Sequence, residues 1–457
     1  MAYKPFSIPW SSIATKRRTL KLTQQQRSFY ESNGVALHQG KNLSSSRVWF
    51  GWLTLGCYFL WWISPSLITP TLRIITSCFA IVWCLLAYTH YKVKVTLNIA
   101  VCFALLLQVW SVFTSIWASY NLGRNANLGR AELLWMEHLL PFFIANALIY
   151  LDPKATEKFI KLAIITFSIS AFIAWLQFFK VPPGALLARY YTYKDIDFWD
   201  GTAGLRAVGL TFHPVILAIQ SLFALALYIP RLAKRSPAKI DFAVLFLFSG
   251  AIVFSQARAL LPALAVCWLV VIALLARSYP KMATMVTVWC ALLAIVALLV
   301  GQNRLGYMLQ STSLSEDASY QFRARNIWIQ LDPIAKAFPI TGIGPSSGLL
   351  LGTGPEDKWV PIGRVMESAY KLFQAMYGIV GLSALVVGLS LSALVCLSKV
   401  VHSIAQKYES MAFTGLIVVS AIAIASYTGN TFDGYFTAPC AFAISAFVKR
   451  NWNLQSD

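Results

Sequence analysis

The sequence predicts an all-α polytopic membrane protein, and three observations predict it. Hydrophobic residues make up 58% of the 457, and charged residues only 12%, about half the charged share of a soluble domain. Mean hydropathy is +0.62. The apolar residues run in unbroken stretches near the ~20 that carry a helix across ~30 Å of hydrocarbon; strands of an outer-membrane barrel would alternate instead. These features exclude an ordinary soluble enzyme and a disordered chain. The net charge of +20, from 38 Lys and Arg against 18 Asp and Glu, would point to nucleic acid in a soluble protein. On short loops between apolar spans it points to topology and anionic lipid, with no nucleic acid.

Residues 1–47 read as a polar, basic tail containing Lys16-Arg17-Arg18, without the apolar core of a signal peptide. Nine spans are expected over 48–300, near 48–66, 70–89, 95–118, 132–151, 158–180, 212–230, 240–257, 259–276 and 282–300. The seventh and eighth touch, with only Arg258 between them, and read as a hairpin. Residues 181–211 form a loop after the fifth span. Residues 301–366 form a longer one between the ninth and tenth, with helical periodicity near 319–338 around Trp328 that Pro339, Gly342 and Gly344 end. The last three spans, near 368–397, 409–428 and 435–448, occupy 367–448, and 449–457 is a closing tail. Loops this long are commonly functional.

With the tail placed in the cytoplasm and the spans alternating, the inside segments hold 23 Lys and Arg and the outside segments 14. Every inside loop is then short and basic, and both termini lie inside. The outside set is rich in arginine: Arg124, Arg130, Arg189, Arg206, Arg258, Arg304, Arg323, Arg325 and Arg364. Arginine offers a planar fork of donors that matches phosphate oxygens in pairs. Its enrichment against the positive-inside trend suggests an anionic ligand at the outer leaflet, although solvated loops with ordinary ion pairs would also carry arginines. Arg258 is the sharpest case, because a charge between two apolar spans needs a cavity or a partner. Arg73, Glu137, His138 and His213 fall in the outer halves of their spans. Either Arg73 or His138 pairs with Glu137, or the charges snorkel to the interface, or the four line a polar cavity that opens outward.

Several patterns are absent. No Gly-x-x-x-x-Gly-Lys is present, so no ATP-driven step is expected. No His, Asp and Glu spacing suits a metal, and Asp195-Ile196-Asp197 matches Asp-x-Asp only as chance often does. The eight cysteines all lie in apolar runs without a Cys-x-x-Cys, so neither a disulfide nor zinc is read. Tyr190, Tyr191, Tyr193, Trp199, Tyr307, Tyr320, Trp328 and Trp359 lie in outside segments, where aromatics stack on sugars or simply sit at the interface.

Four stretches carry a family resemblance: Arg206 to Ala218 with Gly209, His213 and Pro214; Phe254-Ser255-Gln256-Ala257-Arg258; Arg325-Asn-Ile-Trp328 followed by Pro339-Ile-Thr-Gly342-Ile-Gly344; and Glu367-Ser368 through Gly378 and Gly381. In this order they resemble the O-antigen ligase and polymerase family. The resemblance implies a GT-C-like membrane glycosyltransferase of the bacterial inner membrane, with its site facing the periplasm and no cofactor or metal. The donor would be a glycan on undecaprenyl diphosphate, and the acceptor a second glycan or lipid A–core. A chain-length regulator and inner-membrane lipids would be further partners. Charge develops on the departing diphosphate, so preorganised cations are needed. Arg206, Arg258 and Arg325 stand at matching motif positions, with Arg323 and Arg189 added by position alone and His213 within the first stretch.

This sequence departs from the family where a His-Asn pair often opens the helix after the long loop; it has Glu367-Ser368 there. Glu367 is then the expected general base, unless it merely pairs with Lys371 one turn on. The missing histidine favours a polymerase over a ligase. A secondary transporter or lipid-linked glycan flippase shares the layout of spans, but would show two related halves and charges at mid-membrane.

Overall fold

A computed structural model describes residues 45–64, 70–122, 128–191, 206–211, 213–232, 238–257, 260–278, 280–300, 329–344, 368–406, 411–428 and 437–453. The chain divides into Met1–Ser45 and Ser46–Asp457, and the described residues belong to the second unit, Ser45 apart. Among them all regular structure is helical. In order the helices are α1 (Ser45–Ile63), α2 (Pro70–Leu85, continued by a π turn, Leu86–His90), α3 (Ile99–Leu122), α4 (Leu128–Leu151), α5 (Ala155–Phe178), α6 (Pro182–Tyr191) and α7 (Pro214–Leu232). They continue with α8 (Lys239–Ser255), α9 (Leu261–Ser278), α10 (Pro280–Val300), α11 (Ile329–Ala337), α12 (Ala369–Gln406), α13 (Ala412–Thr428) and α14 (Thr437–Asn453).

Five stretches are long and apolar enough to cross a membrane: Thr71–His90, Ile99–Asn121, Ala155–Phe178, Pro214–Leu232 and Ala369–Val401. Six shorter helices are also apolar. Their outward faces carry large apolar side chains such as Ile74, Phe79, Val109, Ile165, Leu269 and Leu394. An exposed apolar surface on this scale is foreign to a soluble monomer and natural in lipid.

Most of α7 is buried, including Leu222, Phe223, Ala224, Leu225, Ala226 and Leu227. Such all-round apolar character marks a central helix. The core around it is aromatic: Phe159 stacks on Phe447 at 4.1 Å, and Phe178 on Phe254 at 3.9 Å. Two hydrogen bonds fix the sense of packing. The Thr414 hydroxyl, at the start of α13, donates to the Ala226 carbonyl near the end of α7 at 2.6 Å. The Tyr370 hydroxyl, at the start of α12, donates to the Ala423 carbonyl late in α13 at 2.9 Å. Hence α7 and α12 begin at the same end of the helices. The opposite end carries Lys92, Lys94, Lys154, Lys158 and Lys239 around helix termini.

Two differences from the sequence reading matter. Part of the 181–211 loop is a helix, α6, because Pro182 and Pro183 suit the first helical turn. The turn before it is a Schellman motif: Lys180, at φ 56, donates its N–H to Gln177 O, and Val181 N–H donates to Leu176 O. The stretch read as one tenth span is broken inside α12 at Gly378, with φ 64 and ψ −162.

Candidate functional site

The segment 206–211 is held by two buried side chains of α5, Gln177 and Ser170. Gln177, fully buried near the end of α5, accepts hydrogen bonds from Val208 N–H at 2.9 Å and Gly209 N–H at 2.8 Å through Oε1. Its Nε2 donates to the Gly209 carbonyl at 2.7 Å. The Ser170 hydroxyl accepts from Leu210 N–H at 3.1 Å. Gly209 sits at φ 60, and an added Cβ would lie 2.6 Å from the Ser170 hydroxyl, so only glycine fits this turn.

So anchored, the segment meets the end of α8. Ala207 N–H donates to Phe254 O at 3.0 Å, and Arg206 Nε donates to Ser255 O at 3.1 Å. Arg206 therefore places its cation at the negative end of a helix dipole. The Ser255 hydroxyl braces the turn, donating to Ile252 O at 2.6 Å and accepting from Ala257 N–H at 3.2 Å, while Gln256 takes a left-handed conformation at φ 53. The first and second resembling stretches thus join through two backbone-directed bonds.

The third and fourth join likewise. The break at Gly378 interrupts the α12 ladder, and four backbone groups beside it find partners outside the helix. The Ala375 carbonyl accepts from Ile343 N–H and the Met376 carbonyl from Gly344 N–H, both at 2.9 Å. The Tyr377 carbonyl accepts from Trp110 Nε1 of α3 at 2.8 Å. Ile379 N–H donates to Pro339 O at 2.8 Å. A broken helix at membrane depth requires such accounting. Nearby, Lys371 Nζ pairs with Asp332 of α11 at 2.8 Å, which ties the helix after Trp328 to the start of α12. Lys371, the alternative partner considered for Glu367, thus has Asp332 as a partner.

The positions expected from sequence fall as follows. Arg206 sits against the Ser255 turn. His213 is exposed; its Nδ1 accepts from Val215 N–H at 3.2 Å, and its carbonyl accepts from Ile216 and Leu217. That makes His213 the N-cap of α7. The backbone of Arg189 lies in α6, but its side chain lies outside what is described. Glu367, Arg258, Arg323, Arg325 and Asp195-Ile196-Asp197 lie outside the described residues, as does the side chain of Glu137. By chain connectivity Arg258 follows Ala257 of the braced turn, and Glu367 precedes Ser368 at the start of α12. Arg73 stacks over the Trp61 ring at 4.8 Å, and His138 is fully buried. Gln177, Ser170 and Trp110 were not singled out from sequence. A polar Gln and Ser inside an apolar span were the available signal. No protein-family model matches the chain, and no curated protein matches it.

Proposed function

We propose that the chain is a metal-independent membrane glycosyltransferase that moves a glycan from polyprenyl diphosphate to a sugar hydroxyl at the periplasmic face of the inner membrane. A surface-polysaccharide polymerase is the favoured form. One observation carries the reading. The four stretches that resemble the O-antigen ligase and polymerase family interlock in two pairs, Arg206 with the Ser255 turn and Pro339–Gly344 with the Gly378 break. Both pairs lie at the end opposite the lysine-rich helix termini.

On this reading twelve helices cross the membrane in a GT-C-like arrangement: α1 to α5, α7 to α10 and α12 to α14. The acceptor hydroxyl attacks the anomeric carbon, and the bond from that carbon to the diphosphate oxygen breaks. The lipid diphosphate takes the electron pair, and the hydroxyl proton passes to Glu367. Arg258, Arg206 and Arg325 stabilise the charge on the leaving group, with Arg323 and Arg189 around them, acting as preorganised donors.

The test is purified protein given a lipid-linked repeat unit, without ATP and with a chelator present. Longer lipid-linked chains are expected. Arg258→Ala should lower kcat about 100- to 1,000-fold, as loss of one oxyanion-type donor does. No chain growth, with movement of the lipid-linked glycan between leaflets instead, would make the protein a flippase. In cells lacking it, one repeat on lipid A–core marks a lost polymerase, and none marks a lost ligase.

A further inference from the structure

A hollow of about 310 Å³ opens between α3, α12, α13 and α14, with a wall of almost wholly apolar side chains that includes Phe103, Leu107, Leu389, Val418, Ile422 and Phe442. Water does not settle in such a space, and a helix surface in hydrocarbon offers it an acyl chain instead. The question is whether the wall also selects a headgroup.

Two features of α12 say that it does. Lys399 is the charged residue among those lining the hollow. Seven residues earlier, Ser392 also lines it; its hydroxyl is buried, the residue being 8% exposed, and has no hydrogen-bond partner among the described residues. Two turns of helix separate the two positions, about 10 Å, so a phosphate at Lys399 leaves the Ser392 hydroxyl facing the more deeply seated part of the same molecule. Asn98 and Ser445, which also line the hollow, bond within the protein. Asn98 Nδ2 donates to Ser445 O at 3.2 Å and to Ser445 Oγ at 3.0 Å, and Asn98 Oδ1 accepts from Val101 N–H at 2.9 Å. Ser445 Oγ donates to Phe442 O at 2.7 Å. Lys92 and Lys94, exposed on the segment leading into α3, add positive charge at this end.

We infer that this groove holds one anionic phospholipid of the leaflet at the lysine-rich end, with a tail between α3, α12, α13 and α14, its phosphate at Lys399 and an ester oxygen within reach of Ser392. Positive charge facing an anionic headgroup favours this occupant over a zwitterionic lipid or a second protein copy. The inference requires only that the helices lie in a membrane, so it stands or falls apart from glycan transfer.

The experiment reconstitutes the full chain in vesicles of equal phosphatidylglycerol and phosphatidylethanolamine, extracts it in mild detergent and counts retained lipid by native mass spectrometry. Phosphatidylglycerol should be retained at one per chain. Lys399→Gln should lower that retention about fivefold relative to phosphatidylethanolamine, and Val419→Trp, which fills the groove, should abolish it. Equal retention of the two lipids by the parent chain, retention untouched by Val419→Trp, or a dimer that forms with no lipid bound would each overturn the inference. Lys399→Gln lies at the helix rim and Val419→Trp in the wall, so a folding failure of the second leaves the first as the deciding variant.

Discussion

Gln177 satisfies three backbone groups of a buried turn with one carboxamide. Replacing it by Leu keeps the volume and strands two N–H groups and a carbonyl away from water. Each such group costs about 1–3 kcal/mol, so Gln177→Leu should lower stability by about 3 kcal/mol or more, read as a lower melting temperature in detergent. An unchanged melt would show that the clamp is not holding the Arg206 segment. Glu367→Gln asks a chemical question instead: glycan transfer should collapse while the melting temperature stays, and full transfer would remove Glu367 as the base. Asp152 offers a pH test at the opposite end. Its burial works to raise the carboxyl pKa, but Lys158 Nζ at 2.7 Å, Lys154 N–H at 2.9 Å and Trp52 Nε1 at 3.0 Å outweigh that and hold it below the usual carboxylate range. A depressed folded value means that the stabilisation is complete above the unfolded value of ~3.9 and fades as pH falls through the folded one. Asp152→Asn should therefore melt lower at neutral pH and show a shallower loss below about pH 4 than the parent chain.

At the scale of elements, the break in α12 decides how the long segment before it docks. Gly378 occupies a region of backbone space that is essentially closed to other residues, and a Cβ there would lie 2.1 Å from the Ile340 carbonyl. Gly378→Ala should cost about 1–3 kcal/mol in strain alone. It should also free the Pro339–Gly344 turn, so that the Ile343, Gly344 and Ile379 amides exchange hydrogen faster. Protection equal to the parent chain would show that the turn docks without the break. The apolar runs made most helices legible in the sequence, with boundaries displaced by a few residues, as for α3, read as 95–118 and found at Ile99–Leu122. The break was not legible, because hydropathy sees one predominantly apolar stretch running through Gly378. What permits it is tertiary: Trp110, Ile343 and Gly344 supply donors that the local sequence cannot announce. The same holds for the site. The motif stretches were visible one by one, but the pairing of the first two depends on Gln177, which contributes to no motif.

For the molecule as a whole, the decisive question is which end faces outward. The 24 residues of α5 reach about 36 Å as a helix, enough for ~30 Å of hydrocarbon. Glu157 marks one end of α5, and Val181, just past the other, adjoins the clamp that holds Arg206. Lysines gather at the Glu157 end, and the positive-inside rule puts them in the cytoplasm. A membrane-impermeant thiol reagent applied to spheroplasts should therefore label Val181→Cys and not Glu157→Cys, and both after lysis, once labelling of the parent chain's own cysteines is subtracted. Both positions are exposed, so access to the reagent and not burial sets the outcome. Labelling of Glu157→Cys alone before lysis would invert the molecule and turn Arg206 to the cytoplasm, where no periplasmic glycan could reach it. Labelling of both would mean that α5 does not cross at all, and the outward facing of the end that carries the two motif pairs would fail with it.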